Sequence, residues 1–168
     1  RDVERLCPSA WVLNYTNPMS ILCLAAARAV PRAQVVGLCH SVQGASHQLA
    51  AWAGVPYEEL KWNCAGVNHL AWFTEFSHRG RDLYPALRRR VQAEKGFDEK
   101  DKVRLDLMMH FGYYCTESSG HDSEYLPYYR KRADLIKTYC RAGYRGESRF
   151  YASNWPAWRQ ANDQRRRD

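Results

Sequence analysis

Apolar and polar positions follow two rhythms along the chain. Ala10-Trp11-Val12-Leu13-Asn14-Tyr15 is a short apolar run and predicts a buried strand. A helix is predicted from about Ser20 through Val30, where Pro31 stops it. Gln34-Val35-Val36-Gly37-Leu38 predicts a second strand. Strand, helix and strand within about thirty residues make a βαβ unit, which implies a parallel sheet with a right-handed crossover. His40 or Ser41 can cap a further helix over about Val42–Trp52, ending at Gly54.

The later pattern is less regular. Residues 1–7 read as helical, and Glu58–Asn63 leads into the segment around Asn68-His69. Leu70–Ser77 reads as a strand, with a turn at Arg79-Gly80. Tyr84–Ala93 and Val103–Phe111 have helical spacing, and Ala133–Cys140 reads as helix. Residues 112–129, rich in Tyr, Ser and Gly, read as loop with short helical pieces. From Arg141 onward no element is well specified. The chain reads as a piece of a longer protein, because Arg1–Leu6 looks like the last turns of a helix.

Composition narrows the class. Apolar residues make up 45% of the 168, enough for a packed core and against global disorder. The formal charge of +7 gathers in Arg88-Arg89-Arg90, Arg130-Lys131-Arg132 and Arg165-Arg166-Arg167. These runs lack a coherent stripe with interleaved aromatics, so a nucleic-acid partner is not expected. No apolar run approaches membrane-spanning length, so no membrane partner is expected either. The six cysteines form no CxxC pair. Together with the absence of a signal peptide, this favours reduced thiols and a cytoplasmic location.

The chemistry concentrates at two places. Cys39-His40-Ser41-Val42 follows the second strand, and Asn68-His69 lies thirty positions on. Cys39 with His69 would make a two-ligand divalent-metal site with positions left open. Each has a bland alternative: a small buried thiol and a hydrogen-bonded packing ring. In a doubly wound sheet, ligands collect at the carboxyl ends of the strands, so Asn14-Tyr15-Thr16-Asn17 and Cys39-His40 should face one crevice. Asn17 could hydrogen-bond a sugar or ribose hydroxyl, or only turn the chain ahead of Pro18.

Four motifs go further. Asn14-Tyr15-Thr16-Asn17-Pro18-Met19, Gly37-Leu38-Cys39-His40-Ser41-Val42-Gln43-Gly44, Cys64-Ala65-Gly66-Val67-Asn68-His69 and Gly112-Tyr113-Tyr114-Cys115-Thr116-Glu117-Ser118-Ser119 occur in this order. The set resembles glycoside hydrolase family 4, over roughly residues 8–130, and its nearest likeness is to the melibiase-type α-galactosidases. Cys-His-Ser-Val is similar to the galactoside version of the motif. An α-glucosidase or α-glucuronidase of the family, or an inactive fragment or interaction domain, remains the alternative.

The resemblance implies an α/β fold: the end of a Rossmann-type parallel sheet, like that of lactate and malate dehydrogenases, followed by part of an α+β domain. It places residues 1–40 in the first and 41–168 in the second. The family's Gly-rich phosphate loop is not found in this sequence. The implied cofactors are NAD and a divalent metal, Mn²⁺ in most relatives. The implied reaction is hydrolysis of a small α-galactoside, such as melibiose or raffinose, by oxidation at C3, metal-aided deprotonation at C2 and elimination. The implied assignments are Cys39 and His69 for the metal, and Asn17, Asn68 and His121 for substrate. Asn14 and Asn17 are assigned to cofactor, Tyr113 to proton abstraction and His40 to proton donation. A phenol serves as base only if its ordinary pKa of about 10 is lowered, which a nearby cation would do. Glu117 and Asp122 fall near the tyrosine motif as further candidate substrate contacts. A homo-oligomer is implied for the full-length protein, and an isolated fragment is expected to be inactive.

Overall fold

The computed structural model describes residues 2–140 and 150–167. After α1 (Asp2–Leu6), β1 (Trp11–Asn14), α2 (Met19–Ala29) and β2 (Gln34–Gly37) form the expected βαβ unit. β1 and β2 pair in parallel, from Trp11 with Gln34 to Asn14 with Gly37. The pairing runs one residue further, where the Leu38 amide donates to the Asn14 carbonyl at 2.9 Å. Parallel strands are normally covered on both faces. Here Trp11 is 65% exposed and Leu13 59%, so β1 presents an open apolar face.

α3 (His40–Ala53) begins two residues earlier than its pattern suggested, and its cap is Cys39 rather than His40 or Ser41. The reason is in the backbone: Cys39 is still extended, with φ −131° and ψ 132°, so the strand end passes directly into the helix. Ala45, Leu49 and Ala50 form its buried stripe. Gly54 ends it at φ 67°, a left-handed C-cap that L residues adopt at a cost.

The second sheet is antiparallel and contains a full strand where the sequence pattern predicts only a lead-in to Asn68-His69. β3 (Leu60–Val67) pairs with β4 (Leu70–His78), and β4 with the short β5 (Arg81–Asp82). The β3–β4 register shifts between Asn63 and Cys64, which pair with Glu75 and Phe73 and leave Thr74 as the extra residue. This bulge resets the alternation. Phe73 and Phe76, three positions apart, therefore both enter the core, at 0% and 1% exposure. The far edge of β4 is occupied by residues 114–116: Phe73 N donates to Tyr114 O, and Thr116 N to Ala71 O, each at 2.9 Å.

α4 (Tyr84–Ala93) and α5 (Lys102–Phe111) match their predicted spans to within a residue, and α6 (Ser119–Tyr125) and α7 (Ala133–Tyr139) follow. The main core joins Leu49 of α3, Leu60, Phe73 and Phe76 of the sheet, Leu87 of α4, and Leu105 and Met108 of α5 with Tyr114. Val103 and Leu107, on the opposite side of α5, pack against Cys115 and Tyr129.

The weakly specified C-terminal stretch falls partly outside the described residues, at 141–149. Beyond it lies α8 (Phe150–Arg165), a helix its polar sequence did not announce. Among the described residues no helix is long and apolar enough to cross a membrane. Two of the three basic runs are used locally: Arg90 pairs with Glu94, Arg132 with Asp134, and Arg130 bonds Ser123.

Candidate metal and substrate site

Three chain segments meet beside a cavity of about 400 Å³. β2 delivers Cys39 as the N-cap of α3. A helix N-terminus carries positive potential, so Cys39 presents its sulfur at the electropositive end of α3. The Ser41 hydroxyl lies 2.9 Å from the Cys39 sulfur and can donate to it.

The second segment is the β3–β4 turn. Val67 pairs with Leu70, leaving Asn68-His69 as a two-residue loop. His69 takes φ 62°, where glycine or asparagine is usual. A histidine held there directs attention to its side chain. Gly66 makes the turn possible. A Cβ on it would lie 2.5 Å from Leu70 O and 2.6 Å from Ala71 Cα, so only glycine fits.

The third segment is the strip beside β4, which ends in Thr116 and Glu117 ahead of α6. Ser118 caps that helix, its hydroxyl accepting from the His121 amide at 3.3 Å. Glu117 is 8% exposed. Its Oε1 accepts from the Ser118 amide at 2.7 Å, and its Oε2 faces His69 Nε2 at 3.5 Å.

Among the described residues one group could hold a metal ion: Cys39, His69 and Glu117, whose ligand atoms all lie within 4.8 Å of one another. Thiolate, imidazole and carboxylate suit a divalent transition ion. Asn68 supports the fit, since its Nδ2 is buried in the same cavity wall with no hydrogen-bond partner. An unpaired buried donor is costly unless something entering the cavity accepts from it.

The remaining sequence candidates divide. His121 is brought close: its ring lies parallel to that of His69, with centroids 6.1 Å apart, and its Nδ1 is 3.1 Å from Glu124. Asn14 and Asn17 are at the carboxyl end of β1 but are engaged locally. Asn14 Oδ1 accepts from Thr16 N at 3.1 Å and Asn17 Oδ1 from Met19 N at 3.3 Å. The exposed His40 ring packs on Tyr15 at 4.6 Å, outside the cavity lining. Tyr113 is not brought to the cluster. It lies edge-on to Tyr84 at 5.9 Å and lines a different cavity with Lys61, Glu75 and Arg88.

The tyrosine that does reach the cluster is Tyr125, whose hydroxyl is 3.4 Å from His69 Nδ1. Burial, then Glu117 and Glu124, push its pKa up. The available signal was the four-residue spacing of His121 and Tyr125, which shares a helix face. Asp122, behind the cluster, is fully buried with neither carboxyl oxygen in an ordinary hydrogen bond. Burial raises its pKa to about 7, against the pull of Arg104 and the Cys115 thiol.

The fold and site together define an α/β protein in which Cys39, His69 and Glu117, a group that could hold a metal ion, meet at the junction of a parallel βαβ unit and an antiparallel sheet. The Family 4 glycosyl hydrolase model matches residues 1–55, and the Family 4 glycosyl hydrolase C-terminal domain model residues 64–165. The chain belongs to glycoside hydrolase family 4. It is 45% identical over 132 residues to the α-galactosidase of Bacillus subtilis (strain 168), covering 79% of this chain and 30% of that protein. The chain thus spans about a third of such relatives. The solved structure of lplD from Bacillus subtilis superposes with a TM-score of 0.71 at 26% identity, covering 96% of this chain and 41% of that one. A 6-phospho-α-glucosidase from gut microorganisms, solved in complex with NAD and Mn²⁺, shares the fold, with TM-score 0.60, 23% identity and coverage of 74% and 31%.

Proposed function

We propose that the complete protein carrying this chain hydrolyses α-galactosides with the help of NAD and a divalent cation. The observation that carries this reading is the convergence of Cys39, at the end of β2, and His69, in the β3–β4 turn, on one cavity. The choice of galactoside rests on the Cys39-His40-Ser41-Val42 motif and on the 45% identity to an α-galactosidase. The cofactors rest on the family and on the NAD and Mn²⁺ held by a neighbour of the same fold.

When bound, NAD would take and return the C3 hydride, and the cation would stabilise charge developing next to C2. The chain's own residues hold and orient. Cys39 and His69 supply the two donors expected for the metal, with the Ser41 hydroxyl steadying the thiolate. Asn68 offers its free amide hydrogen to a sugar hydroxyl. His121 and Tyr125 close the side of the cluster beyond His69. Asn14 and Asn17 lie at the strand end where a dinucleotide sits in such sheets. His40, exposed at the start of α3, is the candidate proton donor.

Two tyrosines compete for the hydroxyl beside C2. Tyr113 is the residue implied by the family motif; Tyr125 is favoured by its 3.4 Å approach to His69. Turnover of Tyr113→Phe and Tyr125→Phe separates them, since only the residue at the reacting carbon abolishes exchange of the C2 proton with solvent.

The reading is tested by assaying the complete protein on nitrophenyl α-galactoside, α-glucoside and α-glucuronide, with and without NAD, Mn²⁺ and a chelator. Galactoside turnover that needs both additions is expected. Undiminished turnover in chelator would sink the metal assignment, and preference for glucoside or glucuronide would move the substrate.

A further inference from the structure

Glu117 stands in the cluster without a role from the paired Cys39–His69 motif. We infer that it is a third protein ligand of the cation, so that the ion is held by thiolate, imidazole and carboxylate together. The inference rests on the proposed metal-dependent function and adds a residue to its centre.

Three observations carry it. The first is distance. A charge-assisted N–H···O bond runs at about 2.7–2.9 Å. Glu117 Oε2 and His69 Nε2 are 3.5 Å apart, too long for a good hydrogen bond. Two donors each about 2.1 Å from a shared ion are about 3.0–3.4 Å apart, depending on the angle. The gap therefore suits a bridging ion better than a bridging proton.

The second is burial without compensation. Glu117 is 8% exposed, yet its one hydrogen bond among those resolved is the Ser118 amide on Oε1, leaving Oε2 turned toward His69 and Cys39. A buried carboxylate oxygen wants a cation or donor.

The third is preorganisation. The segment delivering Glu117 is pinned to β4 by the Thr116 N to Ala71 O bond and to α6 by the Ser118 cap. Behind it, Ser119 donates to the buried Asp101, which Arg104 neutralises. A carboxylate on so fixed a backbone holds its position before an ion arrives.

Three protein donors would leave further positions of the ion for substrate, which would suit one that also binds two neighbouring sugar oxygens. The added negative charge balances the divalent ion together with the thiolate, which favours retention between turnovers.

The test is Mn²⁺ affinity, read by the free-ion EPR signal during titration of the complete protein and without turnover. Glu117→Gln keeps the shape and the Ser118 bond and removes the charge. Its dissociation constant is expected to rise by at least about tenfold, the lower bound seen even for residues that only orient ligands. Glu117→Asp keeps the charge on a shorter arm and is expected to fall between the two. Cys39→Ser and His69→Ala are measured alongside. If these two weaken binding while both Glu117 variants stay within twofold of the parent, the third-ligand assignment is overturned and the metal reading stands. If none of the four changes affinity, the metal reading fails with it. Should Glu117→Gln not fold, unchanged affinity in Glu117→Asp alone overturns the proposal.

Discussion

Asp101→Asn is expected to be the most disruptive single-atom change near the site. Asp101 lies at the start of α5 and is 3% exposed. It accepts from the Arg104 guanidinium at 2.5 Å and from the Ser119 hydroxyl at 2.8 Å on Oδ1, and from the Tyr114 hydroxyl on Oδ2. Arg104, with its side chain 11% exposed, also reaches Gln48 of α3 at 3.1 Å and lies over the Tyr114 ring at 4.6 Å. Removing the carboxylate charge takes from a buried guanidinium its directly paired carboxylate and leaves it only the longer-range attraction of Asp122; breaking a buried pair costs about 3–5 kcal/mol. The asparagine carbonyl still serves Arg104 and Ser119, so the lower end, about 3 kcal/mol, is the expected loss. Urea unfolding followed by Trp fluorescence measures it, as a lower midpoint at constant slope. The double variant Asp101→Asn, Arg104→Met should recover part of the loss, because the stranded charge is gone. A single-variant loss under about 1 kcal/mol, or a double variant worse than the sum, would refute the reasoning.

Three further outcomes follow from named contacts. Asp122 titrates near pH 7 when folded, above its unfolded value near 4, so the folded state binds the extra proton. Its contribution to stability is full below about pH 4 and is lost as pH rises toward 7, at up to about 1.4 kcal/mol per unit. Asp122→Asn should remove that slope, and parallel urea midpoints for parent and variant between pH 5 and 7 would contradict it. Gly66→Ala forces a Cβ into Leu70 O and should cost about 1–3 kcal/mol while weakening Mn²⁺ binding through the displaced His69; unchanged melting temperature and metal affinity would show the turn tolerates a side chain. Phe73→Ala empties the centre of the main core and should cost about 3–5 kcal/mol by chemical denaturation, with a loss below about 1 kcal/mol inconsistent with its burial.

The βαβ unit was legible because strands of a parallel sheet read as continuous apolar runs, and Pro31 marks the crossover helix's end. Cys39 was legible with it, since a strand end is where such sheets place ligands. β3 was not, although Leu60, Trp62 and Cys64 alternate inward. Lys61, Asn63 and Gly66 dilute the pattern, and the Thr74 bulge breaks the matching period on β4. α6 was harder still. Its buried residues are Ser119, Asp122 and Ser123, which hydrophobic patterning cannot see; polar bonds to α5 and the Ser118 cap hold it. Glu117 lies just ahead of that helix, and Tyr125 is its last residue. Their approach to His69 therefore became visible only once the chain was folded, whereas Tyr113, prominent in its motif, turned toward a separate cavity.

Cys39 and His69, distant in sequence, are proposed to bind one ion. X-ray absorption at the manganese edge of the Mn²⁺-loaded complete protein tests it most directly, because sulfur scatters distinctly from nitrogen and oxygen. One sulfur neighbour, lost in Cys39→Ser, with imidazole scattering lost in His69→Ala, is the predicted result. A shell of oxygen and nitrogen alone, unchanged by either substitution, would contradict it.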